Sequence, residues 1–132
     1  MRYLIDTDWM IDRLVETPEA VSLLDTLSAE GMGISIVTYM ELFEGTLRSP
    51  RAEGQPGLDA LVRELPVLMV TMPVARRCAT VRFTLRRDGK RVNSRALDLV
   101  IAATAIENGL TLFTRNVDDY ADIAGLEIYG TS

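Results

Sequence analysis

Short, continuous apolar runs rich in β-branched residues, separated by longer helical patterns, set the first limit on what this chain can become. YLI at 3–5, ISIV at 34–37, VLMV at 67–70 and TLF at 111–113 have this form, and LEIY at 126–129 is a weaker fifth. None alternates apolar with polar residues, as a strand with one wet face would; continuous runs suit parallel strands covered on both faces. Helical patterns fill the intervals at 8–15, 19–29, 38–48, 57–64, 74–88 and 95–107. Gly31 follows the second, Thr38 opens the third as an N-cap, and Asn108-Gly109 stops the last. This alternation predicts an α/β fold with a short, mostly parallel central sheet of four to five strands flanked by helices. At 132 residues, positions 1–132 are expected to form one domain. The stretch SPRAEGQPG, 49–57, is expected to be a mobile loop.

What the chain lacks narrows its chemistry. It has no histidine, which removes the commonest general base, Ser-His-Asp and Cys-His catalysis, and imidazole metal ligands. A lone cysteine, Cys78, leaves no disulfide framework and no multi-cysteine zinc site. Any metal held here is then held by oxygen, which suits magnesium or manganese. No signal-peptide pattern and no apolar run near the length of a membrane span is present, so a soluble cytoplasmic protein is expected.

In open parallel sheets, ligands bind at the carboxyl ends of the strands. Asp6 and Asp8 follow the first run, Thr114 and Asn116 follow TLF, and Glu41 lies one turn into the helix after ISIV. Asp98 says most. It lies in ALDLVIAATAI, 96–106, a helix apolar on nearly every face and therefore central. A carboxylate there costs several kcal/mol unless paired or metal-bound. The helix macrodipole offsets only ~0.3–1 kcal/mol, and the run contains no basic residue. Each acid also has a plain structural reading. Asp8 or Asp6 caps the first helix, Glu41 is an exposed helical residue beside Glu44, and Asp98 is a first-turn carboxylate facing water. Asn116, Asp118 and Asp119 are turn residues. Gathered at one edge, however, such acids repel one another, and a divalent cation is the usual remedy.

Net charge is −5, against nonspecific binding of nucleic acid by the whole surface. Residues 76–95 are the exception. They hold 8 of the 14 basic residues, opposed only by Asp88, and so carry +7. The strip is either the solvated face of an amphipathic helix, with Val74, Cys78, Val81, Phe83 and Leu85 turned partly inward, or a contact surface for a polyanion. Trp9, Tyr39 and Phe43 read as core residues.

Four stretches, in order, resemble the segments of PIN-domain nucleases, most closely the VapC-like ribonuclease toxins of type II toxin–antitoxin pairs. They are YLIDTDWMI, ISIVTYMELFEG, ALDLVIAATAIENGLTLFTRN and NVDDYADIAGLEIY. The third, with its D-x-x-I-A-A and T-R-N pieces, is the most specific. The resemblance implies a PIN-like domain whose metal-binding acids are Asp6, Glu41 and Asp98. Asn116 stands at the family's fourth position, often Asp, and completes the implied catalytic set. Asp119, before the aromatic of the closing turn, is a further candidate metal ligand, and the number of metals stays open. The family more often has Asn where this chain has Asp8. Thr7 and Thr114 match polar positions that support the acids. The implied activity is Mg2+- or Mn2+-dependent hydrolysis of RNA phosphodiester bonds, with Arg82, Arg86, Arg87, Arg91, Arg95 and Arg115 meeting the RNA. The implied partners are the RNA, a second copy in a homodimer, and a small antitoxin seated in an apolar groove lined by helices 8–15 and 38–48; no membrane is involved.

Two readings from other classes compete. Asp6-Thr7-Asp8 after a strand resembles the D-x-D of haloacid-dehalogenase-like phosphotransferases, whose first Asp is a nucleophile. Those sites also need a lysine, and the only lysine, Lys90, lies in a basic loop. The other is a PIN-fold module that binds RNA or protein without cutting, for which Asn116 is the best support.

Overall fold

The structure, a computed structural model, describes residues 1–48 and 54–130. Its strands are β1 (Tyr3–Ile5), β2 (Met32–Ser35), β3 (Val67–Leu68), β4 (Thr111–Phe113) and β5 (Glu127–Ile128). Its helices are α1 (Thr7–Leu14), α2 (Pro18–Ser28), α3 (Ile36–Arg48), α4 (Gly54–Glu64), α5 (Met72–Arg87) and α6 (Ala96–Glu107), with 3-10 turns at Asn93–Arg95 and Val117–Asp119. The strands form one sheet in the order β3-β2-β1-β4-β5, and every pairing is parallel. β1 is central, with Leu4 opposite Gly33 on one side and Leu112 on the other.

Two cores cover the two faces, and β1 divides its three residues between them. Leu4 packs with Val74, Val81, Leu99, Ile101 and other residues of α5 and α6. Tyr3 and Ile5 point the other way, to Trp9, Met10, Leu24, Leu58 and Leu61 of α1, α2 and α4. This is the period of two expected of a strand, hidden in the sequence because both faces are buried. α6 is apolar on nearly every face because its middle is buried: Ile101 to Ala105 have no exposed surface, although Leu97 in its first turn is exposed. The turn before β2 needs glycine. Gly31 sits at φ +89°, where a Cβ would also meet Met1 Cα at 2.8 Å.

Several boundaries differ from the sequence reading for local reasons. β2 ends at Ser35 because the Ser35 hydroxyl accepts the Thr38 N–H at 3.0 Å and turns the chain into α3 two residues early. Thr38 is therefore inside the helix and is not its cap. β3 stops at Leu68, since Thr71 caps α5 and Pro73 follows in its first turn. Phe83 is 69% exposed and does not face inward with Val74, Cys78, Val81 and Leu85. Of the segment read as a mobile loop, 49–53 lie outside the described residues, and 54–57 open α4.

Arg95 locks the closing segment to the start of α6. It is 5% exposed. Its Nε donates to Arg91 O at 2.8 Å and its Nη1 to Asp119 O at 2.8 Å, while the fork meets both Asp122 oxygens at 2.7 and 2.8 Å. The guanidinium holds the Asp122 carboxyl below its ordinary value. Asp122→Ala would leave a buried cation short of its partner and should cost ~3 kcal/mol, read as a lower urea midpoint with an unchanged slope. A loss under ~0.5 kcal/mol would reduce the pair to an ordinary surface contact.

Candidate active site

β1 ends in a carboxylate that stays inside. Asp6 is 4% exposed and is the N-cap of α1, its Oδ1 accepting the Thr7 N–H at 2.8 Å. Its Oδ2 accepts from the Thr114 hydroxyl at 2.6 Å and lies 3.4 Å from the Tyr120 hydroxyl. Burial pushes the Asp6 carboxyl up; the bonds from Thr114 and from the Thr7 backbone act against that rise. Asp98, in the first turn of α6, is half-buried, and its Oδ1 lies 3.2 Å from the same Tyr120 hydroxyl. Burial, and then the charge of Asp6, raise its carboxyl too. Tyr120 is itself 1% exposed, and burial together with the Asp6 and Asp98 charges moves its phenol far up, so it remains a neutral donor.

Glu41 is held from the other side by a file of hydroxyls. Thr7 Oγ1 donates to Glu41 Oε1 at 2.7 Å. Thr7 Oγ1 also lies 3.2 Å from Thr38 Oγ1, which lies 3.4 Å from Ser35 Oγ. Each hydroxyl has one proton. With Thr7's engaged by the carboxylate, the proton between Thr7 and Thr38 is Thr38's, and the one between Thr38 and Ser35 is Ser35's. All three residues are buried, at 9% exposure or less, so the file orients Glu41 from inside the protein.

These groups open on a cleft of about 280 Å³ lined by Asp6, Thr7, Asp8, Ile11, Glu41, Glu44, Arg48, Asp98 and Asn116. Five of the nine are acidic and one is basic, and Arg48 is paired with Glu44 at 3.7 Å. Asp8 is not the cap. It lies in the first turn of α1 and accepts from Asn116 Nδ2 at 3.0 Å, so Asn116 spans the rim to an acid. Asp119 does not line this cleft. Its Oδ1 is 3.4 Å from Arg91 Nη2, although its charge still reaches Asp98.

The basic residues divide. Arg86 and Arg87 on α5 and Arg91 just beyond it are exposed, and Arg82 is partly so. Arg86 donates to a neutral group, the Asn93 side-chain oxygen Oδ1, at 3.0 Å, whereas Arg87 pairs with Asp88. Arg95 is the correction: buried and bound to Asp122, it has no face to offer an RNA. Arg115 pairs with Asp12 and lies 3.8 Å from the centre of the Trp9 ring, beside the cleft.

Among the described residues, no three His, Cys, Asp or Glu side chains form a ready-made metal-binding group. The donor chemistry nevertheless fits a hard divalent cation. Every donor on the cleft is oxygen except the Asn116 and Arg48 nitrogens, and Asp6 and Asp98 make no ion pair among the described residues. Tyr120 and Ser35 escaped the sequence reading. Each left a signal: a serine inside the apolar run ISIV, and an aromatic carrying a hydroxyl in the acid-rich turn NVDDY.

The PIN domain family model matches residues 3–126. A protein named tRNA(fMet)-specific endonuclease VapC from Shigella flexneri is 28% identical over 127 residues, 96% of this chain and 95% of that protein. One of the same name from Salmonella typhimurium is 28% identical over 129 residues, 97% of this chain and 96% of that protein. Among solved structures, a chain of the DNA-bound VapBC from Salmonella typhimurium superposes with a TM-score of 0.86 at 27% identity, over 97% of this chain and 96% of that one. A chain of FitAcB from Neisseria gonorrhoeae gives 0.77 at 26%, over 98% and 99%.

Carboxyls raised by folding favour the native state when protonated, so that contribution is full below the ordinary carboxylate value and is lost as pH rises through the raised one. In chelator, Asp98→Asn should therefore melt a few degrees above wild type at pH 7, the shift that ~1 kcal/mol gives a chain of this size. The gap should close as pH falls toward the ordinary carboxylate range. A gap that is constant with pH would show that Asp98 carries no such strain.

Proposed function

The chain belongs to the PIN domain family, and we propose that it is a metal-dependent endoribonuclease, a toxin neutralised by a small antitoxin. The acidic cleft carries this reading: Asp6, Asp8, Glu41 and Asp98 converge at the carboxyl end of a parallel sheet, where such folds bind ligands. The relatives named tRNA(fMet)-specific endonuclease support RNA as the substrate.

In this reading Asp6, Glu41 and Asp98 hold Mg2+ or Mn2+, and Asn116 adds an uncharged oxygen at the rim. Asp119 would join them only on release from Arg91. A bound cation supplies Lewis acidity toward a phosphodiester and makes water a better nucleophile. The chain's own work is positional. Thr7, Thr114 and Tyr120 fix the carboxylates, and burial of Asp6 keeps water from competing for it. Arg82, Arg86, Arg87, Arg91 and Arg115 would meet the backbone of a single-stranded RNA segment.

The partners follow from the surface. α1 exposes Ile11, its C-cap exposes Val15, and α3 exposes Met40 and Leu47, and these two helices supply the apolar seat for the antitoxin. Solved relatives titled as VapBC assemblies support such a partner. Met69, Val70, Met72 and Phe83 are further exposed apolar side chains, and they support a homodimer. Among the described residues no helix is long and apolar enough to cross a membrane; the cytoplasm is the proposed compartment.

The deciding assay is cleavage of a panel of tRNAs and single-stranded RNAs with Mg2+, Mn2+ or chelator. Wild type should cut only with metal, and Asp98→Asn should not cut at all. Normal cutting by the variant would move the active site elsewhere; no cutting by either would favour the non-catalytic binding module. In binding assays, Arg86→Ala with Arg87→Ala should lower the slope of log K against log salt by roughly 1.4, the value for two single-strand phosphate contacts. An unchanged slope would return the strip to a solvated helix face.

A further inference from the structure

We propose that Tyr120 is a positioning residue that sets Asp6 and Asp98 for the divalent cation, an inference that rests on the metal-dependent reading above. Among the described residues its hydroxyl is the one group within hydrogen-bond distance of both acids, at 3.4 Å from Asp6 Oδ2 and 3.2 Å from Asp98 Oδ1. The two acids arrive from different elements, one at the end of β1 and one in the first turn of α6. Asp6 has other donors, the Thr7 backbone and the Thr114 hydroxyl. Asp98 has none: among the described residues, Tyr120 is the only hydrogen-bond donor to its side chain. A phenol has one proton, so it is shared between two acceptors that would otherwise face each other unscreened.

The ring cannot follow a moving carboxylate. It is 1% exposed and belongs to the same buried cluster as Leu99, Ile101 and Ile123. A fixed donor therefore takes one oxygen of Asp98 and leaves Oδ2 free of hydrogen bonds among the described residues. Without the hydroxyl, Asp98 is free to rotate about its side-chain bonds, and the oxygen that a cation needs is no longer held in place.

The test is a Mn2+ titration of the purified chain, followed by the electron paramagnetic resonance signal of free ion, on wild type, Tyr120→Phe and Tyr129→Phe. Phenylalanine fills the same volume, and circular dichroism with thermal melting in chelator checks that the variant is folded. Tyr129 is exposed and does not line the acidic cleft, so its variant controls for loss of a phenol hydroxyl. Tyr120→Phe should bind Mn2+ about tenfold more weakly, as outer partners of metal ligands commonly do when removed, while Tyr129→Phe matches wild type. A folded Tyr120→Phe whose affinity falls less than roughly threefold, or rises, overturns the inference alone. Wild type that takes up no Mn2+ overturns the metal-dependent reading and this inference with it.

Discussion

Asp6 cannot leave the core, and much of the molecule is arranged around that fact. It ends the central strand, whose Leu4 and Ile5 have no exposed surface, so its backbone position is fixed from both sides. Three separate segments then bond its carboxylate: the first turn of α1, the residue after β4, and the closing turn. All three donors are neutral. They satisfy the oxygens geometrically, but they do not cancel the charge. A buried carboxylate with neutral donors and no counter-ion among the described residues either takes up a proton, the form that burial favours, or has its charge met from outside, and in the proposed reading the cleft is the side from which a cation meets it.

The nearby cations do not meet it because each is engaged by another acid. Arg95 is bound to Asp122, Arg91 to Asp119 and Arg115 to Asp12. The exposed pairs add little stability. Their effect is spatial: they neutralise charge around the cleft, and among the described residues Asp6, Asp8, Glu41 and Asp98 within it are left without an ion pair. A net charge of −5 says little about this, since the same composition with one of these arginines turned inward would pair an acid of the cleft and leave the sum unchanged.

The sequence disclosed the parallel sheet through its unbroken apolar runs, and the central helix through a stretch with no polar face. Asp98 stood out there because an unpaired acid in such a helix demands a reason. The boundaries of β2 and α3 were not legible, because Ile36 and Val37 favour strand by type and the Ser35 hydroxyl overrules them. Arg95 was misread for a related cause. In a run of basic residues its burial depends on Asp122, 27 positions away, and no local pattern reports a contact at that range. The same limit hid the Tyr120 hydroxyl and the file from Ser35 to Glu41. Pairs of polar atoms across the sheet are set by how its elements stack, and the sequence shows only each residue's immediate neighbours: apolar ones around Ser35, acids around Thr7 and before Tyr120.

The bond between Thr114 and Asp6 spans 108 positions, and the pairing of β1 with β4 spans as many. A strand made among the first residues of the chain thus waits for nearly the last before its second edge is covered and its terminal acid finds a partner. Closing so long a loop must precede the contacts that reward it. The acidic centre is consequently among the last parts of the molecule to assemble. On a translating ribosome, the chain would carry its helices for some time before it carried its acidic centre.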